Sequence, residues 1–263
     1  MLAIRLLAVL SALIYSVSAL AAAVAENVTG DVRAGASAAA ATAVKSGQRL
    51  QAGSSVVTGA KSRTTLRFDD GQAVLVGENS EFRIVEYAHS KEDAKKDRFV
   101  FELVKGAMRS VTGLLTGRNP QAYALRTSQA TIGIRGTDFM VAVVNPAFIS
   151  VLSGAINAAN KAGAVNFGAG STATVSSATS LPASIPASAL PGSVASSFSQ
   201  LSSITVTASA GTAAAEASGA ALGGLTPAAI GVAGAIAAGL IGIASDDDST
   251  PGTTGTTGTT GTR

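Results

Sequence analysis

The stretch RTSQATIGIRGTDFMVAV, residues 126–143, decides how the chain reads. Ile132 and Ile134 alternate before Arg135-Gly136-Thr137, and Phe139, Val141 and Val143 alternate after it. Alternation at period two is the pattern of a strand with one buried face. The stretch therefore predicts two short strands hinged on Arg135-Gly136-Thr137, with Gly136 permitting a bend or bulge. An arginine between apolar Ile134 and Phe139 is expected to be half-buried, or to reach a partner through its planar donor fork. Thr137 and Asp138 are expected to satisfy turn amides. Arg135, Gly136, Thr137, Asp138 and Phe139 are the candidate site, and a structural role is favoured over a catalytic one.

The flanks repeat the pattern. Val56-Val57-Thr58, Thr64–Phe68, Ala73–Val76, Phe82 with Ile84, and Phe99 with Phe101 and Leu103 read as strands of four to seven residues. Asp70-Gly71 is a hairpin-type turn signal, since glycine accepts positive φ at little cost. Turns are also expected at Lys105-Gly106, at Ser153-Gly154 and at Gly168-Ala169-Gly170, with strands after them at Ala107–Val111, Ala155–Asn157 and Ser171–Val175. Short strands at spacings near ten residues predict an all-β domain, a short-strand β-solenoid or sandwich, over residues 26–175. A charged loop from Tyr87 to Arg98 interrupts the spacing and is expected to be a solvated excursion or a helix of one to two turns; a docking loop for a charged partner is the functional alternative.

Composition agrees with strands and turns. Charged residues make up 13% of the 263 residues and aromatics 4%, with 29 glycines and no tryptophan. Ordinary soluble domains carry roughly 25% charged residues. The formal net charge is +3, too small and too evenly spread for a nucleic-acid footprint. Cysteine is absent, which excludes disulfides and thiolate metal sites.

The two ends read differently from the middle. Arg5 followed by apolar Leu6–Leu20 and by Ala23-Val24-Ala25 has the order of a signal peptide, residues 1–25, cleaved at Ala25. Ala19-Leu20-Ala21 is a second A-x-A pattern, and an uncleaved anchor is the alternative. The chain beyond residue 25 is expected to be exported, to the periplasm or cell envelope. Residues 176–219 are rich in Ala, Ser, Thr and Pro and predict an extended linker, with one further strand near Phe198–Val206. Residues 220–244 form a Gly/Ala-rich hydrophobic segment, expected to be a C-terminal helix. Within it Leu225–Ala244 carries no charge and has small residues at i, i+4 and i+8. Three readings stand: a membrane-associated helix, a self-associating glycine-zipper helix, or a flexible segment. Residues 245–263, acidic and then Gly-Thr-Thr repeats, predict a disordered tail.

Catalysis finds no foothold. His89 is the single histidine and lies in the charged loop, where a surface position without a role is expected. No G-x-S-x-G elbow or complete phosphate loop is present. Asp69-Asp70 and Glu92-Asp93 are paired carboxylates, but the first pair sits on a turn where aspartate bonds its own backbone. The chain is read as not an enzyme, with no cofactor and no metal.

Ordered blocks in this sequence resemble one family. Gly47-Gln-Arg-Leu50 with Gly53–Thr58, Leu66–Gly71 with Val74, Phe101–Gly106, Thr127–Val141 and Gly168–Val175 are similar, in order, to the motifs of FecR domains. The R-G-T-x-F core at Arg135–Phe139 is the most specific of them; Ser128 stands where the family usually has proline. The resemblance spans about residues 45–175. It implies a β-rich extracytoplasmic module. The family's best-known members are iron-transport sensors that signal through the inner membrane to a sigma factor. That role uses a cytoplasmic helical region ahead of the membrane segment, and no such region is expected here. The resulting expectation is an exported, non-catalytic binding module whose partner is an envelope protein or cell-wall polymer. The alternative is a periplasmic component of a signalling system, working with a separate membrane regulator. Membrane or self-association through Leu225–Ala244 is expected with either, and nucleic acid with neither.

Overall fold

The computed structural model describes residues 21–90, 92–112 and 118–208. They fall within the first of two units, residues 1–215; residues 216–263, the second, lie outside them. The strands in chain order are β1 (Ala21–Thr29), β2 (Val32–Gly35), β3 (Thr42–Ala43), β4 (Arg49–Gln51), β5 (Ser55–Thr58), β6 (Arg63–Phe68), β7 (Ala73–Val76), β8 (Glu81–Ala88), β9 (Arg98–Val111), β10 (Tyr123–Arg126), β11 (Thr131–Val143), β12 (Ala147–Asn160), β13 (Gly163–Gly168), β14 (Thr172–Val175) and β15 (Ala183–Ile185). One helix comes after them, α1 (Gly192–Ser202). The strands form one 15-stranded hydrogen-bonded sheet, with every pairing antiparallel except β9 with β10.

Three strands, β9, β11 and β12, run 14, 13 and 14 residues, well beyond the usual ~5–6. Each holds one glycine in the left-handed region: Gly106 at φ 86°, Gly136 at 60° and Gly154 at 73°. The partners change at these glycines. Before Gly106, β9 pairs with β8 and β10; after it, with β7 and β11. Residues 131–132 of β11 pair with β10, whereas 138–143 pair with β9. In β12 the partner changes from β14 to β13. The sheet is thereby folded into two layers that share these three strands. One layer runs β3-β2-β5-β8-β9-β10-β11-β12-β13, and the other β4-β1-β6-β7-β9-β11-β12-β14-β15.

The turns expected at Lys105-Gly106 and Ser153-Gly154, and the two-strand reading of residues 126–143, are corrected by this arrangement. The chain does not reverse at these glycines. It bends and continues, because one left-handed residue re-aims a strand and leaves the ladder intact on either side. Each bend also shifts the alternation by one residue. Phe99, Phe101 and Leu103 face the main core before Gly106, and Met108 after it; Ile132 and Ile134 before Gly136, and Phe139 and Val141 after it. Ile149 and Val151 give way to Ile156 and Ala158 across Gly154 in the same manner.

The main core lies between the layers. Phe82, Ile84, Phe99, Phe101, Leu125 and Ile132 from one layer share a buried cluster with Leu66, Phe68, Val74, Val76, Phe139 and Ile149 from the other. Phe68 meets Phe101 edge-on at 5.0 Å between ring centroids, and Tyr123 meets Phe139 at 6.4 Å. Each fully buried phenylalanine contributes about 1.5–3 kcal/mol. With neither tryptophan nor disulfides, the strands are held by this aromatic and aliphatic filling.

A second cluster covers the outer face of the β7-containing layer. Ala73, Leu75, Met140, Ala142 and Phe148 pack under Val194, Phe198 and Leu201 of α1. This burial on both faces explains why Ala73–Val76 and Phe139–Val143 are unbroken apolar runs. The expected linker, over its described residues 176–208, and the expected strand near Phe198–Val206 are corrected here: β15 and α1 lie in that stretch, and residues 209–219 lie outside the described residues. Val194, Phe198 and Leu201 recur at i, i+4 and i+7, one face of a helix. A serine-rich helix of 11 residues depends on such packing, not on propensity.

Two further placements bear on the ends of the domain. β1 lies between β4 and β6, and its Ala22, Ala23 and Ala25 are buried. The segment 220–244 and the tail 245–263 lie outside the described residues, among which no helix is long and apolar enough to cross a membrane.

Candidate functional site

The five motif residues sit on the bend of β11 and do five different things. Ile134 turns inward, so Arg135 turns outward, and its side chain is exposed. Among the described residues it has no hydrogen-bond or ion-pair partner, contrary to the expectation of a half-buried guanidinium. Gly136 is the extra residue that resets the alternation. Thr137 then faces inward. Its N–H donates to Thr112 Oγ1 at 2.8 Å, and its carbonyl accepts from Thr112 N–H at 3.0 Å and Thr112 Oγ1 at 2.9 Å. Its own Oγ1 is buried without a partner. Phe139 is fully buried.

Asp138 satisfies no turn amide. It accepts two charge-assisted bonds from Arg109 of β9, from Nε at 2.9 Å and Nη2 at 2.7 Å. Arg109 Nη1 also donates to the carbonyls of Leu201 at 3.2 Å and Ile204 at 3.0 Å. Those carbonyls lie at the C-terminal end of α1, where intrahelical donors run out and a cation is favoured. Thus the motif's acid anchors, through one arginine, the helix that closes the second core. Arg109 was not singled out from sequence. A charged residue interrupting Ala107-Met108-Arg109-Ser110-Val111 was its only signal, and its target lies 92 or more residues away.

Asp70 and Tyr87 form a second polar cluster at the β6–β7 turn. Asp70 N–H donates to Tyr87 Oη at 2.9 Å, and Tyr87 Oη donates to Asp70 Oδ1 at 3.2 Å. Gln72 N–H donates to the same Oδ1 at 3.2 Å, and Gln72 Nε2 to Ser110 Oγ at 3.2 Å. Asp70 is fully buried, and its Oδ2 has no partner. Burial holds its carboxyl above the usual aspartate range, opposed by the hydrogen bonds from Gln72 and Tyr87. The Tyr87 and Tyr123 phenols are likewise pushed far up by burial. Such a carboxyl is closed to a substrate, and the cluster acts as turn structure.

The charged loop is pinned at its end. Asp97 is fully buried and accepts from Ser90 N–H at 2.9 Å and Arg118 Nη2 at 3.2 Å, with His89 Nδ1 at 3.3 Å. Arg118 Nη2 also donates to the Ser90 carbonyl. The His89 side chain is only 9% exposed, so the surface reading is corrected: a buried carboxylate drew it in. Asp93 caps the short 3₁₀ turn at Ala94–Lys96 by accepting from Lys95 N–H at 3.0 Å. Among the described residues no group of three or more His, Asp or Glu is placed to hold a metal. An open depression of about 620 Å³ runs past Lys105, Gln129, Val144 and Ser177, and one of about 470 Å³ lies between α1 and Lys61, Glu78 and Ala107. The first has no acid in its lining; in the second Glu78 accepts from Lys61 N–H at 2.7 Å.

Against known proteins, no curated protein matches the chain. Two crystal structures of a candidate anti-sigma factor from Parabacteroides distasonis ATCC 8503 are similar to it at 13% identity and a TM-score of 0.40, covering 50% of this chain. The chain matches 58% of that protein's resolved length. The FecR family model, described as FecR protein, matches residues 54–157, from the residue before β5 into β12. The blocks at 47–50 and 168–175 fall outside that match. All three bent strands contribute to the matched stretch, and the R-G-T-D-F motif lies inside it: residues 54–157 of this chain are a FecR domain.

Proposed function

We propose that the protein is an exported cell-envelope FecR-domain protein that acts by binding a partner and not by catalysis. The observation that carries this reading is Arg135. A planar cation, without a partner among the described residues, is displayed on the bulge of β11, inside the stretch that the FecR family model matches. Three of the acids that sequence offered for chemistry are spent on structure: Asp70 on a turn, Asp93 on the cap of a 3₁₀ turn and Asp138 on a helix anchor. The FecR match favours a signalling-related regulator, and an envelope protein is then the partner of choice. A cell-wall polymer is the alternative partner. Association with the membrane, or self-association, through Leu225–Ala244 would hold the domain near it.

The test is photo-crosslinking in cells, with the full chain carrying a crosslinker at position 135. Covalent capture of a membrane regulator or envelope receptor supports the signalling form, and capture of glycan supports the polymer form. No adduct at 135, with adducts formed from an exposed control position such as Leu181, sinks the reading. Carbonate extraction of the full chain and of a chain lacking residues 220–263 tests the last point. Equal release of both removes the membrane role of Leu225–Ala244.

A further inference from the structure

The first strand of the fold overlaps the end of the export signal. β1 begins at Ala21, four residues before the A-x-A pattern at Ala23-Val24-Ala25 ends. Those residues are structural. Ala23 pairs with Leu50 and Phe68, Val24 with Arg49 and Arg67, and Ala25 with Leu66. Ala25 N–H donates to the Gln48 carbonyl at 2.9 Å, and the Ala25 carbonyl accepts from Gly47 N–H at 2.8 Å. Ala23 and Ala25 are 0% exposed and belong to the main core.

A cut after Ala25 would remove every β1–β4 pair and three of the five β1–β6 pairs. It would uncover Leu50, Leu66 and Phe68 and leave the β6 edge open over half its length. A fold without disulfides has nothing else to close that edge. The chain offers another cut. Ala19-Leu20-Ala21 presents small residues at the same two positions, and cleavage there leaves Ala22 onward in place.

We propose that the export peptide is removed after Ala21, so that the mature chain starts at Ala22 with β1 kept. The proposal rests on the reading of the protein as exported. It also explains why alanine, a poor strand former, fills β1. The run of small residues serves the peptidase on one side of the cut. On the other, Ala23 and Ala25 are the buried cross-strand partners of Phe68 and Leu66.

The test is N-terminal sequencing and intact mass of the full chain expressed in an exporting bacterial host. A start at Ala22 is expected. A start at Glu26 overturns the proposal and leaves export standing; an uncut Met1 overturns the proposal as well, and protease added to spheroplasts then decides export, since an uncleaved anchor leaves the domain exposed outside and a chain that was never exported stays protected. A second measurement does not depend on folding, because Ala21 leaves with the peptide. Ala21→Leu puts a bulky residue at the bond and is expected to abolish the mature band. If Ala21→Leu is processed as the native chain is, the cut lies elsewhere and the proposal fails.

Discussion

Gly154 of β12 lies directly against the backbone of Gly136 of β11: a Cβ on Gly154 would overlap the Gly136 carbonyl oxygen. The two bends are stacked, and the second glycine makes room for the first. At Gly136 itself nothing lies within 4 Å of an added Cβ, so only its φ of 60° opposes a side chain. Gly154→Ala should therefore cost about 2–4 kcal/mol, and Gly136→Ala about 1–2 kcal/mol. Urea unfolding midpoints of the two variants check this. Equal losses would mean that the stacking of the bends is not what requires glycine.

The ion pair between Arg109 and Asp138 ties the bend to α1. Its side chains are 13% and 19% exposed, so the pair is better shielded than a surface bridge. Asp138→Ala leaves Arg109 without its counter-ion and is expected to cost about 1–3 kcal/mol. Because Arg109 also holds the carbonyls of Leu201 and Ile204, the loss should be local first. Limited proteolysis should cut Asp138→Ala after Ser202 sooner than the native chain. Unchanged cleavage there would show that α1 is held by packing alone.

Helix α1 is a core element, and Phe198 is its central contact. Phe198→Ala should lower stability by about 3 kcal/mol, the usual loss for a buried phenylalanine. An exposed linker would lose almost nothing. Thermal unfolding of the variant, at matched concentration, separates the two.

Asp70 gives the fold a pH dependence whose sign is set by its burial. Its folded-state pKa is raised, so the folded chain holds a proton that the unfolded chain releases first. The associated stability is complete below the ordinary aspartate value of about 3.9 and is lost as pH rises through the folded-state value. Asp70→Asn keeps an acceptor for Gln72 and Tyr87 and removes the titration. Stability measured upward from pH 4 should fall less steeply in Asp70→Asn than in the native chain. Identical slopes would assign the dependence to another group.

Much of the fold was legible because strand alternation is a local signal. Val56–Thr58, Thr64–Phe68, Ala73–Val76 and Ser171–Val175 lie in strands at or near the expected bounds. The shift from Ile132 and Ile134 to Phe139 and Val141 marks a bulge by residue parity alone. The site was less legible. Arg135 was visible as a motif residue, but its exposure depends on which face Ile134 takes. Arg109, Asp97 and the inward turn of His89 depend on partners that only folding supplies.

An all-β chain with glycine-marked breaks and a FecR-type motif could thus be read without the fold, since both are written in neighbouring residues. That Gly106, Gly136 and Gly154 bend strands without ending them could not, because whether a left-handed glycine reverses or re-aims a chain depends on the strands waiting beyond it. The helix at Val194, Phe198 and Leu201 was hidden for a related reason. In a short segment an apolar trio fits more than one period, and the uncovered face of β7 and β11 selects the helical one.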